Sequence, residues 1–316
     1  MNLEQWEAHY RRGTLATCPT ARDGGVDLEV RASWVEFFSM LPDHARILDV
    51  GTGNGVVALI AAETAAERSL SWDIHGADLA RINPQRHVAD GARRLAGIRF
   101  HAGVATERLP FEDGSFDAVS GSFALEYTDV ARALIEIHRV LKPGGNVQFV
   151  LHHPDSMFVR GALTSSAEAD LVFTETKAYR RLHRLVTMDQ AIPGTIQRAD
   201  EDLRAAIQTL KKGLEDARKH GAGWILSAAL DGIKKLLEAR RQMKPQDVGL
   251  EVDRAEAELR ASVRGLNDLI EHARTPQQMD EIEQAAATAG FSLIERSLLH
   301  YAGSNLVGWQ LQLHRD

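Results

Sequence analysis

Apolar and polar residues along the first half of the chain follow two alternating periods, one typical of buried strands and the other typical of helices. Short apolar runs predict strands over 46–50, 98–101 and 116–120, a strand that ends at Asp78, and a fifth strand over 146–152. Several of the segments between them carry apolar residues three or four positions apart, which is the spacing of one helix face. Strands that alternate with helices in this way predict an α/β fold with a doubly wound, mostly parallel sheet.

Helices are also predicted ahead of the first strand and after it. The pattern gives two N-terminal helices, over 2–12 and 28–40, and a third helix over 54–67. Asn83 stands immediately before a proline, and this combination of a capping side chain and a proline favours a helix start. A helix over 85–95 is therefore predicted.

The character of the sequence changes beyond Pro154. From 201 to 274 the chain is rich in Ala, Leu, Glu, Lys and Arg and has few turn residues, so two or three helices are predicted there. A helix over 277–289 and strands over 291–297 and 307–314 follow. The chain then divides into three parts, which are N-terminal helices (1–45), a core (46–154 with 276–316) and a mainly helical insertion (155–275).

A glycine-rich segment joins the first strand to the helix after it. Gly51, Gly53 and Gly55 alternate with other residues, so the backbone can turn tightly and approach a ligand without interference from Cβ atoms. The helix that follows offers unpaired N–H groups at its start, which suits a nucleotide. Asp78 can accept hydrogen bonds from ribose hydroxyls. These residues alone fit more than one class of nucleotide cofactor.

Four motifs in sequence order indicate which cofactor is bound. At 48–55 (LDVGTGNG), Asp78, 109–119 (LPFEDGSFDAV) and 141–145 (LKPGG) the chain resembles the class I S-adenosylmethionine-dependent methyltransferases, and within them the ubiquinone and menaquinone biosynthesis group. The resemblance covers 35–154 and, more loosely, the C-terminal tail. It implies a Rossmann-like fold with a seven-stranded sheet, S-adenosylmethionine as the cofactor and S-adenosylhomocysteine as the product.

The resemblance also implies which residues hold the cofactor. Gly51, Thr52 and Gly53 would pass beneath its methionine and ribose portions, and Asp49 would organise the loop near the amino group, unless its carboxylate only bonds loop N–H groups. Asp78 would take the ribose hydroxyls. The full implied set is Asp49, Gly51, Thr52, Gly53, Asp78, Leu79, Val104, Ala105, Ser122 and Phe123.

The turn after the third strand departs from the family pattern. Related enzymes commonly carry an Asp that accepts a hydrogen bond from the adenine amino group, but Val104 stands at that position. The backbone N–H of Val104 remains a candidate donor to the adenine ring, and Thr106 or Glu107 is a candidate for the missing acceptor. Adenine recognition is therefore expected to differ from that of the family.

Two adjacent histidines, His152 and His153, are the candidates for a general base. They lie at the end of the fifth strand, at the sheet edge where open α/β folds bind ligands. Adjacent side chains on a strand point to opposite faces, so one of the two is expected to face the methyl acceptor. A structural histidine is the other interpretation. No metal site is expected, because no second ligand cluster has suitable spacing.

Five residues are candidates for contact with the methyl acceptor, and these are Tyr10, Glu126, Tyr127, Tyr179 and Arg180. Tyr10 belongs to a helix that either forms a lid or packs on the core. Glu126 and Tyr127 align loosely with polar residues of related enzymes, although an acid at a helix start also suits the helix dipole. The last two lie in a basic stretch over 177–184, which suits an anionic group or is a solvated face.

The composition of the chain fits a globular protein that acts on a small molecule. The chain has 316 residues, of which 44% are hydrophobic, so it can bury a core. Its net charge of −7 disfavours a nucleic-acid substrate, and the single cysteine, Cys18, excludes an intramolecular disulfide and fits a reducing compartment. No run is apolar enough to span a bilayer, so a cytoplasmic location is expected.

The function that follows is methyl transfer from S-adenosylmethionine to a small-molecule acceptor, with an oxygen of an aromatic or quinone-like compound as the first expectation and a carbon or nitrogen atom next. Two alternatives stay open. The chain methylates tRNA or protein, or it binds the cofactor without catalysis and acts as an interaction or regulatory protein. For the helical insertion at 155–275, two roles are expected: it covers the substrate, or it forms the surface of a homodimer.

Overall fold

The computed structural model describes residues 3–15, 25–188, 193–301 and 303–316. The chain divides into two compact units, one formed by 1–159 with 272–316 and the other by 160–271, and each is described by itself. Cys18 lies outside the described residues.

The first unit contains a seven-stranded sheet in the order β3-β2-β1-β4-β5-β7-β6. Neighbours among the first five strands pair in parallel, whereas β7 runs antiparallel to both β5 and β6. The strands are β1 (Arg46–Val50), β2 (Asp73–Asp78), β3 (Ile98–Ala102), β4 (Phe116–Ser122), β5 (Leu141–Leu151), β6 (Phe291–Tyr301) and β7 (Asn305–Arg315). The predicted α/β class and the mostly parallel seven-stranded sheet are confirmed.

The centre of the sheet sets where a ligand can lie. β1 pairs with β2 on one side and with β4 on the other, and its residues 47–50 are all buried. The order of the strands therefore reverses at β1, and open α/β folds bind ligands in a crevice at such a point, outside the carboxyl ends of the strands, here β1 and β4. The four candidate cofactor segments at 49–53, 78–79, 104–105 and 122–123 lie at or just after the ends of β1, β2, β3 and β4 at this edge.

Helices cover the sheet and form the second unit. In chain order they are α1 (Leu3–Tyr10), α2 (Gly25–Ser39), α3 (Val56–Glu67), α4 (Pro84–His87), α5 (Gly91–Arg94), α6 (Val130–Val140), α7 (Met157–Asp170), α8 (Ala178–Thr187), α9 (Pro193–Arg218), α10 (Trp224–Ala239), α11 (Pro245–His272) and α12 (Pro276–Ala289). A 3₁₀ turn spans Leu125–Tyr127, and a π-helical turn spans Leu171–Glu175. The second unit buries its own apolar core.

The predicted helix over 85–95 is wrong, because two short helices, α4 and α5, take its place. Val88 has an extended backbone and a buried side chain, and Asp90 has a left-handed φ of 55°, so the helical path breaks between them. Asn83 makes no capping bond through its side chain. Gly91 lies so close to Pro84 that a Cβ there would meet the proline carbonyl oxygen at 2.6 Å. Burial of Val88 therefore overrides the local capping signal.

Candidate functional site

The loop after β1 is shaped by glycines in the left-handed region. The φ angles of Gly51, Gly53 and Gly55 are 61°, 52° and 86°, a conformation that side chains with a Cβ rarely adopt. A Cβ on Gly51 would meet the Cβ of Ala124 at 2.3 Å. The loop is fastened by the Thr52 amide, which donates to the carbonyl of Ala77 at 3.1 Å. The alternating glycines therefore meet a real backbone requirement.

Asp49, at the end of β1, holds this glycine loop in place through hydrogen bonds. Its side chain is 2% exposed and accepts hydrogen bonds from the hydroxyl of Thr52 at 2.6 Å and from the hydroxyl of Ser120 at 2.8 Å. Burial raises the pKa of Asp49 to about 7, and the two hydroxyl donors oppose that rise. The carboxyl group therefore joins the glycine loop, through Thr52, to β4, through Ser120.

Asp78 joins the end of β2 to the same loop. Its Oδ2 accepts the Gly53 amide hydrogen at 2.8 Å, and its Oδ1 accepts the Ala80 amide hydrogen at 2.8 Å. Burial raises the pKa of Asp78 to about 6, against the two backbone donors. Each carboxylate oxygen has a second lone pair, so the group keeps acceptor capacity for a diol.

In the turn after β3, some of the groups expected to contact adenine already form hydrogen bonds within the protein. The Val104 amide donates to the carbonyl of Asp78 at 2.9 Å, so the expectation that this N–H serves the adenine ring does not fit the described geometry. Glu107, one of the two candidates for the missing adenine acceptor, accepts the Asp129 amide hydrogen at 2.8 Å, so one of its carboxylate oxygens is already in a hydrogen bond. Thr106 is half-buried, and its side chain has no partner among the described residues. It is the better candidate for the missing acceptor.

Tyr10 lies over the glycine loop. Its ring is 8% exposed, and a Cβ on Gly53 would meet ring atom Cε1 at 2.7 Å. The side-chain amide of Asn54 donates to the carbonyl of Tyr10 at 3.1 Å, and Trp6 stacks on the ring with centroids 5.8 Å apart. Burial and the charge of Asp78 raise the pKa of Tyr10 well above its usual range. In the described structure α1 is therefore packed on the loop.

An aromatic cluster lies beyond β4 and β5. We define it as Phe123, Tyr127, His152, Phe158 and His272. The Phe123 ring stacks on that of His152 with centroids 4.1 Å apart and an interplanar angle of 13°. Tyr127 stacks on His272 at 4.3 Å and 19°, and Phe158 meets Phe123 edge-on at 5.7 Å. The cluster follows the carboxyl ends of two central strands, where flat rings can be bound by stacking.

Backbone strain accompanies the cluster. Phe123 is not a glycine but has a φ of 52°, which costs of the order of 1 kcal/mol or more. Its amide still donates to the carbonyl of Val150 at 2.7 Å, so it stays tied to β5. This conformation places the ring against His152, and Ser122 ends β4 immediately before it.

Glu126 is a buried acid at the edge of the aromatic cluster, and not a solvated residue at a helix start. Its side chain is 1% exposed, and its Oε1 accepts the His152 amide hydrogen at 2.9 Å. Its Oε2 is buried and has no partner among the described residues. Burial raises the pKa of Glu126 to about 7, opposed by the His152 amide, its own backbone and Arg274.

The two adjacent histidines have different surroundings. His152 is 2% exposed within the aromatic cluster, and its Nδ1 has no partner among the described residues. Burial, with a smaller contribution from His272, lowers the pKa of His152 to about 3, so the ring is neutral. The ring of His153 lies 4.7 Å from that of Trp309, and its Nδ1 accepts the Asp155 amide hydrogen at 2.9 Å. Of the two, His152 lies where an acceptor could bind.

The segment that returns to the core after α11 supplies contacts that the sequence did not indicate. The amide of Arg274 donates to the carbonyl of His152 at 2.8 Å, and its guanidinium donates to the carbonyl of Glu126 at 2.6 Å. His272, the last residue of α11, stacks on Tyr127. These residues are more than a hundred positions from their partners, and no local pattern marks them.

Tyr179 and Arg180 belong to the second unit. Tyr179 is 3% exposed and forms part of the core of that unit, whereas Arg180 is exposed. Both line a cavity of about 390 Å³ within the unit, together with Phe173, Lys177, His183, Asp253, Glu256 and Arg260. The lining carries charges of both signs, so the basic stretch is partly neutralised.

Neither a metal site nor a membrane span occurs in the described parts of the chain. No group of three or more His, Cys, Asp or Glu residues there is placed to hold a metal ion. Within those same parts, every helix is too short or too polar to cross a membrane.

Comparison with known proteins finds similarity over the glycine loop and the strands around it. A family model described as a methyltransferase domain matches residues 48–149. A demethylmenaquinone methyltransferase of Chlorobaculum parvum is 37% identical over 101 residues, which are 32% of this chain and 38% of that protein. The ubiquinone/menaquinone biosynthesis C-methyltransferase UbiE of Geotalea daltonii is 37% identical over 126 residues, 39% of this chain and 52% of that protein.

Among solved structures, an S-adenosylmethionine-dependent methyltransferase from Mesorhizobium loti is 28% identical and covers 43% of this chain and 57% of that one, with a TM-score of 0.32. The chain thus spans 38% and 52% of the lengths of the Chlorobaculum and Geotalea relatives. The family match ends at 149, before His152, α7 and the second unit.

Proposed function

We propose that this chain, in which residues 48–149 are a class I S-adenosylmethionine-dependent methyltransferase domain, transfers a methyl group to a small aromatic or quinone-like acceptor. The observation that supports an aromatic acceptor is the aromatic cluster at the carboxyl ends of β4 and β5. We take a ring oxygen as the first site of methylation.

The residues around the glycine loop fit S-adenosylmethionine. The positive φ angles of Gly51 and Gly53 bring backbone close to any ligand in the crevice, and the carboxylate of Asp78 keeps lone pairs for a ribose diol. Asp49 holds the loop in this shape through Thr52. When bound, S-adenosylmethionine supplies an activated methyl group on a sulfonium. These residues orient it for in-line transfer.

The aromatic cluster suits a flat acceptor. A ring that stacks against Phe123 or Tyr127 gains offset or edge-on contacts of about 1 kcal/mol each beyond area burial. The burial of His152 and Glu126 excludes water from this part of the site, so polar groups there bind more strongly. The neutral His152 ring is available as a hydrogen-bonding partner for an acceptor oxygen.

Carbon is the second candidate for the methylated atom. The Geotalea daltonii relative is named a C-methyltransferase, which favours a ring carbon of a hydroxylated acceptor. The two outcomes differ in the chemical shift of a ¹³C-methyl group, because an ether methyl and a ring methyl have distinct carbon environments.

The experiment that tests the proposal uses S-adenosylmethionine labelled in the methyl group. The full chain is incubated separately with a panel of phenols, hydroquinols and quinones, with bulk tRNA, and with a protein extract. Label in a small aromatic product is expected. Label confined to tRNA or protein would replace this function with the corresponding macromolecular one, and binding without transfer would indicate a non-catalytic cofactor-binding protein.

Two roles are proposed for the second unit. We propose that residues 160–271 cover the bound acceptor or form the interface of a homodimer, since this unit has a core of its own and exposes Trp224 and Leu250. Sedimentation velocity of the full chain over a hundredfold range of concentration separates them. A monomer at every concentration contradicts the dimer.

A further inference from the structure

Glu126 and His152 each carry a buried polar side-chain atom that has no hydrogen-bond partner among the described residues. Glu126 Oε1 accepts the His152 amide hydrogen at 2.9 Å, which fixes the carboxyl group beside the residue whose ring is in the aromatic cluster. Glu126 Oε2 and His152 Nδ1 are both buried and unpaired. A buried polar atom without a hydrogen bond costs of the order of 1–3 kcal/mol. The arrangement is therefore destabilising unless a ligand completes it.

A purely structural role does not explain an acid at this position. The bond to the His152 amide needs only one carbonyl oxygen, which a glutamine would provide without a charged form to desolvate. Arg274 does not neutralise the side chain by a direct contact, since its guanidinium donates to the backbone carbonyl of Glu126. The carboxyl group thus keeps one oxygen free for a proton.

We propose that Glu126 is the proton acceptor of the methyl transfer and that the acceptor molecule carries a ring hydroxyl, which donates to Glu126 Oε2 while a second ring oxygen is held at His152 Nδ1. The proposal rests on the proposed function and narrows its substrate class to phenols, hydroquinols and enols. Amines, thiols and ring systems without a hydroxyl are excluded as preferred acceptors.

The step balances with the groups present. As the O–H proton passes to Glu126 Oε2, the electron pair of the hydroxyl oxygen forms the new O–CH₃ bond, and the S–CH₃ bond breaks with its electron pair staying on sulfur. If a ring carbon is the nucleophile, the hydroxyl proton passes to Glu126 Oε2 as the carbon takes the methyl group. The ring C–H proton then leaves to restore the aromatic ring, and Glu126 returns its proton to the ring oxygen. In both cases one proton is released overall.

The groups around Glu126 set the pH range of this step. Burial raises the pKa of Glu126 to about 7, and the groups that act against this rise are the amide of His152, the amide of Glu126 itself and the guanidinium of Arg274. An acid with a pKa near the working pH is well suited to take and return a proton. The neutral His152 ring, whose pKa is lowered to about 3, is suited to hydrogen bonding and a poor proton acceptor.

The test compares wild type with Glu126→Gln, which preserves shape and the bond to the His152 amide. The substrates are a set of substituted phenols of graded acidity, and Glu63→Gln on α3 is the matched surface control. For Glu126→Gln we expect kcat to fall by about 10²–10⁴-fold, with cofactor affinity unchanged within about twofold by calorimetry. The loss should shrink for the most acidic phenols and at high pH, where the acceptor is already ionised.

A merely structural role would lower the rate equally for all phenols, and it would leave the rise of kcat/KM near pH 7 in place. Equal rates and equal pH profiles for wild type and Glu126→Gln would overturn the inference while leaving the proposed function intact. A wild-type chain that methylates no phenol would overturn the proposed function and this inference with it. Infrared difference spectra supply a readout without turnover: both Glu126 and Asp49 are expected to give protonated-carboxyl bands that titrate near pH 7, and the Glu126 band is the one that is present in Asp49→Asn and missing from Glu126→Gln. Its absence from wild type would also count against the inference.

Discussion

Gly53 donates its amide hydrogen to Oδ2 of Asp78 at 2.8 Å, and this bond joins the loop after β1 to the end of β2. Two segments that the sequence separates by 25 positions are therefore joined by this bond as well as by the bond from the Thr52 amide to the Ala77 carbonyl. The other oxygen of Asp78 is bonded to the Ala80 amide. Any substitution of this carboxylate changes both the shape of the loop and the group available to a ribose.

Asp78→Ala is expected to lower the affinity for S-adenosylmethionine at least about 30-fold, since hydrogen bonds to a charged acceptor contribute about 2 kcal/mol or more. Isothermal titration calorimetry measures the change. Asp113→Asn, a substitution of an acid whose side chain is 81% exposed, is the matched control and should bind as wild type does. Undiminished affinity in Asp78→Ala would refute the assignment of this residue to the cofactor.

Gly53→Ala is expected to weaken both folding and cofactor binding. The φ of 52° disfavours a residue with a Cβ by about 1 kcal/mol, and the new atom would lie 2.7 Å from the Tyr10 ring. Tyr10→Ala in the same chain should restore part of the loss, because it removes the clash and leaves the φ strain. Thermal unfolding and calorimetry of the single and double variants measure the coupling.

The control for that series is Gly97→Ala, because a Cβ on Gly97 would meet no heavy atom within 4 Å and the residue lacks a positive φ. It should melt within about 1 °C of wild type or slightly higher. Strict additivity of Gly53→Ala and Tyr10→Ala would show that the ring does not press on the loop.

Asp49 is expected to make stability fall as the pH rises. Because burial raises its pKa to about 7, the folded protein keeps a proton that the unfolded chain releases near pH 4. The unfolded state binds fewer protons between pH 4 and 7, so the free energy of unfolding decreases across that window, by up to about 4 kcal/mol, and is constant above it. At pH 8 the cost of the buried charge is fully present.

Asp49→Asn removes this titration and retains an acceptor for Thr52. Relative to wild type, its free energy of unfolding should improve between pH 5 and pH 8, as measured by urea denaturation at both values. A difference between the two proteins that does not change with pH would contradict a raised pKa at Asp49.

Thr106→Val is expected to lower cofactor affinity about fivefold, which corresponds to one neutral hydrogen bond of about 1 kcal/mol. The reason is that Val104 cannot accept from the adenine amino group, its amide is bonded to Asp78, and Glu107 is bonded to Asp129. Thr106→Ser keeps the hydroxyl and should bind as wild type does. If calorimetry shows equal affinity for Val and Ser, another group contacts adenine.

The sheet could be predicted from the sequence because each strand is marked by a pattern of neighbouring residues. Each parallel strand is a short apolar run, and the strand ends carry the motifs at 48–55, 109–119 and 141–145. The break between α4 and α5 could not be predicted in the same way. It depends on the burial of Val88, which is decided by packing against distant residues.

The cofactor-binding residues of the candidate site could also be predicted, because their motifs are local in the sequence. The residues proposed to contact the acceptor could not be predicted in this way. Glu126 resembles a solvated acid in the sequence, and its burial depends on the return of the chain at Arg274, 148 positions later. The stacking of Tyr127 on His272 is likewise a contact between distant segments. Long-range contacts of this kind leave no periodic or spacing signal.

We propose that the site at the carboxyl ends of β1 and β4 delivers a methyl group to a hydroxylated aromatic ring. The measurement that tests it most directly is transfer of label from methyl-labelled S-adenosylmethionine by the full chain to a panel of phenols and hydroquinols. We predict a labelled small aromatic product that Asp78→Ala fails to make. Label found only in tRNA or protein, or no transfer despite cofactor binding, would contradict the account.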